Sequence, residues 1–456
     1  MLSEDFKERM RRIPGLDAEA LFCALEDGAP VRGLRVNTLK ISVEDFLKRT
    51  HLKLTPLGYA EDGFILDGGD GIGASPEHHA GEFYLQDPGA MATVNALDIK
   101  EGAVCLDMCS APGGKSSQIA AKIGDSGLLI ANEYVPKRCK IAVGNFERLG
   151  LRNTIAVSLD TEELSRLFEN FFDVVLADVP CSGEGMFRKS EEALRDWSIE
   201  NVLMCQERAI RILENGASTV KGGGYLVHST CTFSIEENEM VVSRFLEKHP
   251  EFHLVEVNKA LQKATAPGVR FDGCSTKNIE LCRRFYPHIS PGEGQFVAVM
   301  KKDGDAAERI LYKDASRPLS RDAMQAVRRF FSENMSSDRS SDVRMSGEKL
   351  VLVPREVAIM PRSVFCSGVL LGELRGGLIV PSHHFFSAYG NEFIRKENLS
   401  PGDERIEKYL RGEEIDAISA EGGGWCSILL GGVPLGGAKL SAGRLKNHYP
   451  KGLRKP

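Results

Sequence analysis

Five short apolar runs, separated by helical patterns, constrain this chain more than any other feature. They are VCLDM at 104–108, GLLIANE at 127–133, IAVSL at 155–159, FDVVLADVP at 172–180 and YLVHST at 225–230. Such runs are apolar on both sides, so the strands they form need cover on both faces, the condition of a parallel sheet with crossover helices. After Glu239 a helix with Val241, Val242, Phe245 and Leu246 on its inner face is expected, and QFVAVMKK at 295–302 reads as a closing strand. The expectation is an α/β domain with a doubly wound, Rossmann-like sheet over 81–302. Its chemistry should lie at the strand ends, where open α/β sheets bind ligands.

With 456 residues the chain has room for two or three domains and a sizeable core. Its 42% apolar and 27% charged residues exclude a disordered or fibrous polymer. No run of about 18 uncharged apolar residues occurs and the N-terminus has no apolar h-region, so a cytoplasmic protein without a membrane partner is expected. Eleven cysteines, an odd number without a CxxC pair, point to reduced thiols rather than a disulfide framework or a metal site. The net charge of −6 means that any nucleic acid must be held by a local basic face.

Four units are expected. Residues 1–80 combine a helix at Asp17 to Leu25 with a strand at Gly33 to Lys40, a small α+β unit. The 81–302 domain follows, with a boundary near 303–306, and then a mixed 303–390 region containing the Ser-rich stretch 334–349, read as an exposed loop. In 391–456, a charged helix opened by Ser400 and Pro401 precedes GWCSILLGGVPLGGAKLSAG, where Gly pairs punctuate short strands. The last 19 residues carry Lys439, Arg444, Lys446, Lys451, Arg454 and Lys455 and no carboxylate. Such a run is either a phosphate-binding face or a solvated tail.

Three motifs carry chemistry. In LDMCSAPGGKSSQIA at 106–120, a strand enters a glycine turn that opens a helix, and Gly113 and Gly114 let a ligand approach the backbone unless the turn is merely structural. A P-loop would need glycine at 109, where Cys109 stands. Glu133 ends the next strand, placed to accept hydrogen bonds from ribose hydroxyls. Without GxGxxG, NAD is disfavoured. S-adenosyl-L-methionine, a sulfonium without a pyrophosphate, suits a short turn with Asp107 nearby. Asp160 ends the third strand, either as a partner for an adenine amino group or as a turn former.

In ADVPCSGEGMFRK at 177–189, an apolar strand delivers Asp178 and then Cys181 to the ligand edge, with Arg188 and Lys189 offering phosphate-binding charge. In HSTCTFSIEENEM at 228–240, Cys231 ends the fifth strand, and Ser234 with Glu237 reads as a capping box whose helix favours a thiolate. The two thiols are therefore expected to face one pocket. A thiolate adding to carbon 6 of cytosine makes carbon 5 an enamine able to take a methyl group. The residues alone leave open which cysteine attacks.

RVNTLK at 35–40, YLQDPGAM at 84–91 and the three motifs above, in this order, resemble the signature blocks of the Nop/Sun-type RNA cytosine-5 methyltransferases. The GEGMFRK variant, CRRFYPHISPGEGQFVAVMKK at 282–302 and LKNHYPKGLR at 445–454 are most similar to a bacterial subgroup acting on 16S ribosomal RNA of the small subunit. The resemblance implies that Cys231 is the nucleophile, that Cys181 assists breakdown of the covalent adduct, and that Asp178 contacts the target base. It places Cys109, Ser110, Ala111, Pro112, Gly113, Gly114, Lys115, Glu133, Arg138, Asp160 and Asp178 at cofactor positions. It also implies a C-terminal PUA-like RNA-binding module, and by their charge Arg188, Lys189, Lys446, Lys451 and Arg454 are the expected RNA contacts. The expected partner is small-subunit ribosomal RNA, naked or in the assembled 30S particle, bound by a monomer. Transfer RNA is the alternative substrate. A noncatalytic assembly factor is the alternative function, disfavoured because both cysteines, Asp178 and Glu133 are present.

Overall fold

The computed structural model describes residues 2–305, 319–354 and 364–455. Two N-terminal helices, α1 (Glu4–Arg11) and α2 (Ala18–Glu26), are capped by Ser3 and Asp17 and bury Phe6, Met10, Leu21 and Phe22. Strands β1 (Gly33–Val36), β2 (Lys53–Leu57), β3 (Ala60–Asp67) and β4 (Phe83–Leu85) form an antiparallel sheet in the order β2-β3-β1-β4. The strand expected at 33–40 stops at Val36, because Asn37 turns the chain and accepts the amides of Lys40 and Ile41. This sheet continues to Leu85, beyond residue 80.

The second sheet contains the expected strands and adds an edge strand from outside the expected 81–302. β5 (Val104–Asp107), β6 (Leu128–Asn132), β7 (Thr154–Val157), β8 (Phe172–Asp178) and β9 (Val220–Thr230) run parallel, in the spatial order β9-β8-β5-β6-β7. β10 (Gln295–Lys302) lies antiparallel beside β9, and β11 (Val364–Ser367) beside β7. Order reverses at β5, so its loop opens into the crevice where such folds take ligands. Helices α3 (Gly114–Ile123), α4 (Pro136–Leu149), α5 (Thr161–Leu167), α6 (Ile199–Thr219) and α7 (Glu239–Lys248) cover the two faces. α7 turns Val241, Val242 and Phe245 inward, as its periodicity requires.

The boundary expected at 303–306 lies at the edge of the described residues. Beyond it, the Ser-rich stretch is irregular over 336–342, with one 3-10 turn at Ser340–Asp342, and ends in a hairpin that the expected loop does not include: Val343–Ser346 pairs with Lys349–Leu352 around Gly347, burying Val343 and Leu350. Two further helices, α8 (His383–Tyr389) and α9 (Glu404–Arg411), support the C-terminal sheet. α9 is capped by Asp403, not Ser400, whose carbonyl closes a preceding turn. Gly431 and Gly432 turn the hairpin between Gly424–Leu430 and Val433–Ser441, but Gly436 and Gly437 lie within the second strand. A Cβ there would stand 2.4 Å from Tyr409 Oη and 2.2 Å from Phe386, so these glycines admit aromatic packing.

The basic end is folded: Arg444–Asn447 pairs with the preceding strand, and Lys455 N–H donates to the Leu410 carbonyl. One hydrophobic core joins the two ends of the chain, with Leu34, Val36, Phe46 and Phe83 packed among Leu399, Tyr409, Ile428 and Tyr449. Lys40 pins the junction, its ammonium donating to the carbonyls of Ala80, Arg148 and Pro434 and to Ser387 Oγ.

Candidate active site

The β5 strand leads through the 109–113 turn into α3. Gly113 has φ +108°, and a Cβ there would stand 2.9 Å from Phe146; one on Gly114 would stand 3.0 Å from Tyr84. The turn is glycine because both positions are buried against aromatic rings and Gly113 takes a left-handed φ. Arg35, fully buried in the first unit, donates to the Gly114 carbonyl at 3.2 Å and to Ser117 Oγ at 2.7 Å. Asp107 accepts from Ser116 Oγ at 2.6 Å and from the Cys109 amide, and burial, opposed by the Ser116 bond, pushes its carboxyl up to about 7.

Glu133 ends β6 nearly fully buried. Its Oε1 accepts the Val135 amide at 3.0 Å, while Oε2, 3.3 Å from Arg138, has no hydrogen-bond partner. Arg138 also donates to the Ala111 carbonyl, tying this carboxylate to the glycine turn. An acidic strand tip with an oxygen lacking a hydrogen bond, beside a turn accessible at Ala111 and Pro112, fits a ribose diol, so the residues present suit S-adenosylmethionine. Ser110 Oγ is a second buried atom without a partner in this turn. Asp160 behaves as a turn former: it is exposed and caps α5 by accepting the Glu162 amide at 2.8 Å.

Asp178, at the tip of β8, accepts from Lys115 Nζ at 2.7 Å and from Gln295 Nε2 at 3.4 Å. Burial pulls the Lys115 ammonium down, but Asp178, its hydrogen bond and Cys231 outweigh burial, and the net shift is upward. Gln295 also donates to Ser229 Oγ, which meets Thr93 Oγ1 at 3.1 Å. Gln295 and Arg35 were not singled out from sequence, although each lies within a quoted block.

The structure brings Cys181 and Cys231 together, with the sulfurs 3.3 Å apart. The hydrogen bond to Cys231, reinforced by burial, holds the Cys181 thiol well above the ordinary value. The expected capping box does not form, because Ser234 Oγ donates to Glu184 and the Glu237 carboxylate accepts from Ser182. Asn238 occupies the N-cap of α7 instead.

Arg188 is not an RNA contact in waiting. Its side chain is 5% exposed and donates to Glu293 at 2.6 Å and to the carbonyls of Ala24, Ala29 and Gly292. Lys189 pairs with Asp87 and Glu293. Four of the five N–H donors of this buried guanidinium are engaged, so little is left to offer a phosphate. Lys446 and Lys451 are exposed, whereas Arg454 is half-buried and donates to the Tyr449 carbonyl.

No helix among the described residues is long and apolar enough to cross a membrane, and no cluster of three or more His, Cys, Asp or Glu there could hold a metal ion.

Family models match three parts of the chain: 16S rRNA methyltransferase RsmB/F over 94–301, the N-terminal domain of 16S rRNA methyltransferase RsmF over 2–88, and the methyltransferase RsmF PUA domain over 396–455. A ribosomal RNA small subunit methyltransferase F from Klebsiella pneumoniae is 32% identical, over 92% of this chain and 90% of its own length. One from Erwinia tasmaniensis is 31% identical, over 98% and 96%. Among solved structures, a methyltransferase homolog protein from Pyrococcus horikoshii matches with TM-score 0.58 and 31% identity, covering 66% of this chain and 95% of that one. NSun6 from the same organism with SFG, 22% identical at TM-score 0.56, shares the fold. With a glycine turn and acidic strand tip suited to an adenosyl group, paired thiols beyond them, and relatives aligned from end to end, the chain belongs to the ribosomal RNA small subunit methyltransferase F family of S-adenosylmethionine-dependent RNA methyltransferases.

Proposed function

We propose that this enzyme methylates carbon 5 of cytosine in 16S ribosomal RNA through a covalent cysteine adduct. The observation that carries this is the thiol pair, 3.3 Å apart on adjacent strand tips, beside the Lys115–Asp178 ion pair. S-adenosylmethionine, when bound, supplies an electrophilic methyl group. Gly113, Gly114, Glu133 and Arg138 are the residues to hold it, Glu133 through the carboxylate oxygen that carries no hydrogen bond.

Cys231 Sγ, as thiolate, forms a bond to carbon 6 of the base, which leaves carbon 5 nucleophilic toward the methyl group. Asp178 faces the base and Lys115 fixes its carboxylate. After methylation carbon 5 carries an extra proton; a base takes up that proton, the C–H electrons re-form the 5,6 double bond, and the Cys231 thiolate leaves carbon 6 as 5-methylcytosine is released. Cys181 assists this last step. The choice of Cys231 for the attack rests on the resemblance of the STCTFSIEENE block to the family's signature. The exposed Lys446 and Lys451, in the region matched by the PUA model, are the candidate phosphate contacts.

The test is bisulfite mapping of RNA from cells with and without the gene, and of 16S RNA and 30S subunits treated with the purified enzyme. Gain of protected cytosines in 16S RNA is expected. Changes confined to transfer RNA would overturn the substrate, and no change in any RNA would overturn the reaction.

A further inference from the structure

Two buried carboxylates lie behind the thiols, and both link the loop after β8 to the loop after β9. Glu237 accepts the Ser182 amide at 2.8 Å and Ser182 Oγ at 2.5 Å. Glu184 accepts Thr232 Oγ1 at 2.7 Å, the Phe233 amide at 2.8 Å, Ser234 Oγ at 2.6 Å and Trp197 Nε1 at 2.9 Å. Ser182 Oγ and Thr232 Oγ1 meet at 2.9 Å, which closes the network. Ser182 follows Cys181 and Thr232 follows Cys231, so each loop grips the other at the residue next to its own cysteine.

Neither carboxylate forms an ion pair among the described residues, and both are essentially inaccessible. Burying two carboxylates without a cation is costly, and apolar packing would join the loops more cheaply if only cohesion were needed. What an apolar contact cannot do is fix direction and spacing through hydrogen bonds to an amide and two hydroxyls. Burial, with the neighbouring Glu184, pushes the Glu237 carboxyl up to about 8, so its neutral form is one that glutamine copies.

We propose that Glu237 is a positioning residue that, with Glu184, holds Cys181 and Cys231 within reaction distance of each other. The functional consequence rests on the cysteine chemistry proposed above; the spacing itself does not.

The test reads that spacing directly. Diamide, a diazene oxidant, accepts the two hydrogens of a thiol pair and becomes a hydrazine as the disulfide forms, and peptide mapping isolates the Cys181–Cys231 product from the other cysteines. In the full-length protein, Glu237→Ala is expected to slow this cross-link about tenfold or more, as loss of buried hydrogen bonds implies. Glu237→Gln should restore it to within about threefold of wild type, since the amide oxygen still accepts from Ser182. If Glu237→Ala does not fold, Thr232→Val carries the same test, because it removes the hydroxyl shared by both carboxylates. A folded Glu237→Ala or Thr232→Val protein that cross-links at the wild-type rate would overturn the proposal, and so would absence of the cross-link in wild type. Methylation surviving in Cys231→Ala, with wild-type cross-linking dependent on Glu237, would sink the proposed reaction and leave the positioning role standing.

Discussion

Lys115 Nζ lies 2.7 Å from Asp178 Oδ2, so the first turn of α3 is bonded to the tip of β8. This ion pair spans the crevice between the glycine turn and the thiols, and only a minor part of either side chain is exposed. Removing the cation leaves a half-buried carboxylate with Gln295 alone. Lys115→Met is expected to cut the single-turnover methylation rate about 10–100-fold, the equivalent of roughly 1–3 kcal/mol for an unpaired partner. A rate within twofold of wild type would mean that Asp178 needs no cation.

Glu133 offers the unsatisfied oxygen. Glu133→Ala should weaken S-adenosylmethionine binding by about 1–3 kcal/mol in calorimetry, because the ribose loses its acceptor and Arg138 loses its anchor. Asp160→Ala should leave binding nearly unchanged and cost about 1 kcal/mol of stability, since its carboxylate caps α5. Equal losses of affinity in both variants would return Asp160 to the adenine site.

Two kinds of basic residue should separate by salt dependence. Lys446→Ala with Lys451→Ala should weaken RNA binding and lower the slope of log affinity against log salt by about 0.7–0.9 per lost phosphate contact, without altering the melting temperature. Arg188→Ala should do the reverse, costing about 1–3 kcal/mol of stability because the buried Glu293 keeps only Lys189 and the Val31 amide. An unchanged salt slope in the double lysine variant would make that face a solvated surface.

Burial, opposed by a hydrogen bond to the Leu151 carbonyl, lowers His384 to about 4, and its neutral ring accepts the Leu370 amide at Nδ1. The unfolded chain takes up this proton near pH 6.5, before the folded one does, so this contribution to stability is whole above pH 6.5 and lost as pH falls toward 4. His384→Gln should flatten the fall in melting temperature over that window. A slope as steep as wild type would assign the acid sensitivity elsewhere.

The five parallel strands of the central sheet were legible because each contains a short apolar run, and these runs carry Asp107, Glu133 and Asp178 at or near their ends. The edge strand Val364–Ser367 was not, since nothing local in sequence gives its partner. The thiol pairing was legible because Cys181 and Cys231 follow β8 and β9, which adjoin. What escaped is long-range. Nothing near Arg188 in sequence announces Glu293, and nothing near Glu237 announces Ser182, so local patterns gave a phosphate contact and a capping box. The shared core of Leu34, Phe83, Tyr409 and Tyr449 likewise joins segments more than 300 residues apart, which appeared as separate units because hydrophobic periodicity reports only a buried face and not its partner. A cut near residue 390 would therefore uncover the first sheet as well as remove the basic end.

That the sulfurs lie 3.3 Å apart does not by itself say which one attacks, and trapping separates them. If Cys231 Sγ forms the bond to carbon 6, Cys231→Ala removes the covalent step: methylation and RNA adduct should both vanish while S-adenosylmethionine still binds, because no hydrogen bond of the glycine turn or Glu133 involves Cys231. Cys181 acts after methyl transfer, so its loss leaves an earlier state populated. Cys181→Ala should accumulate a methylated RNA–protein adduct, seen as a denaturation-resistant band whose label comes from the cofactor methyl group. The double variant should give no band, since a late block cannot trap what never forms. The opposite pattern, with adduct accumulating in Cys231→Ala and absent in Cys181→Ala, would reverse the two roles and make Cys181 the nucleophile.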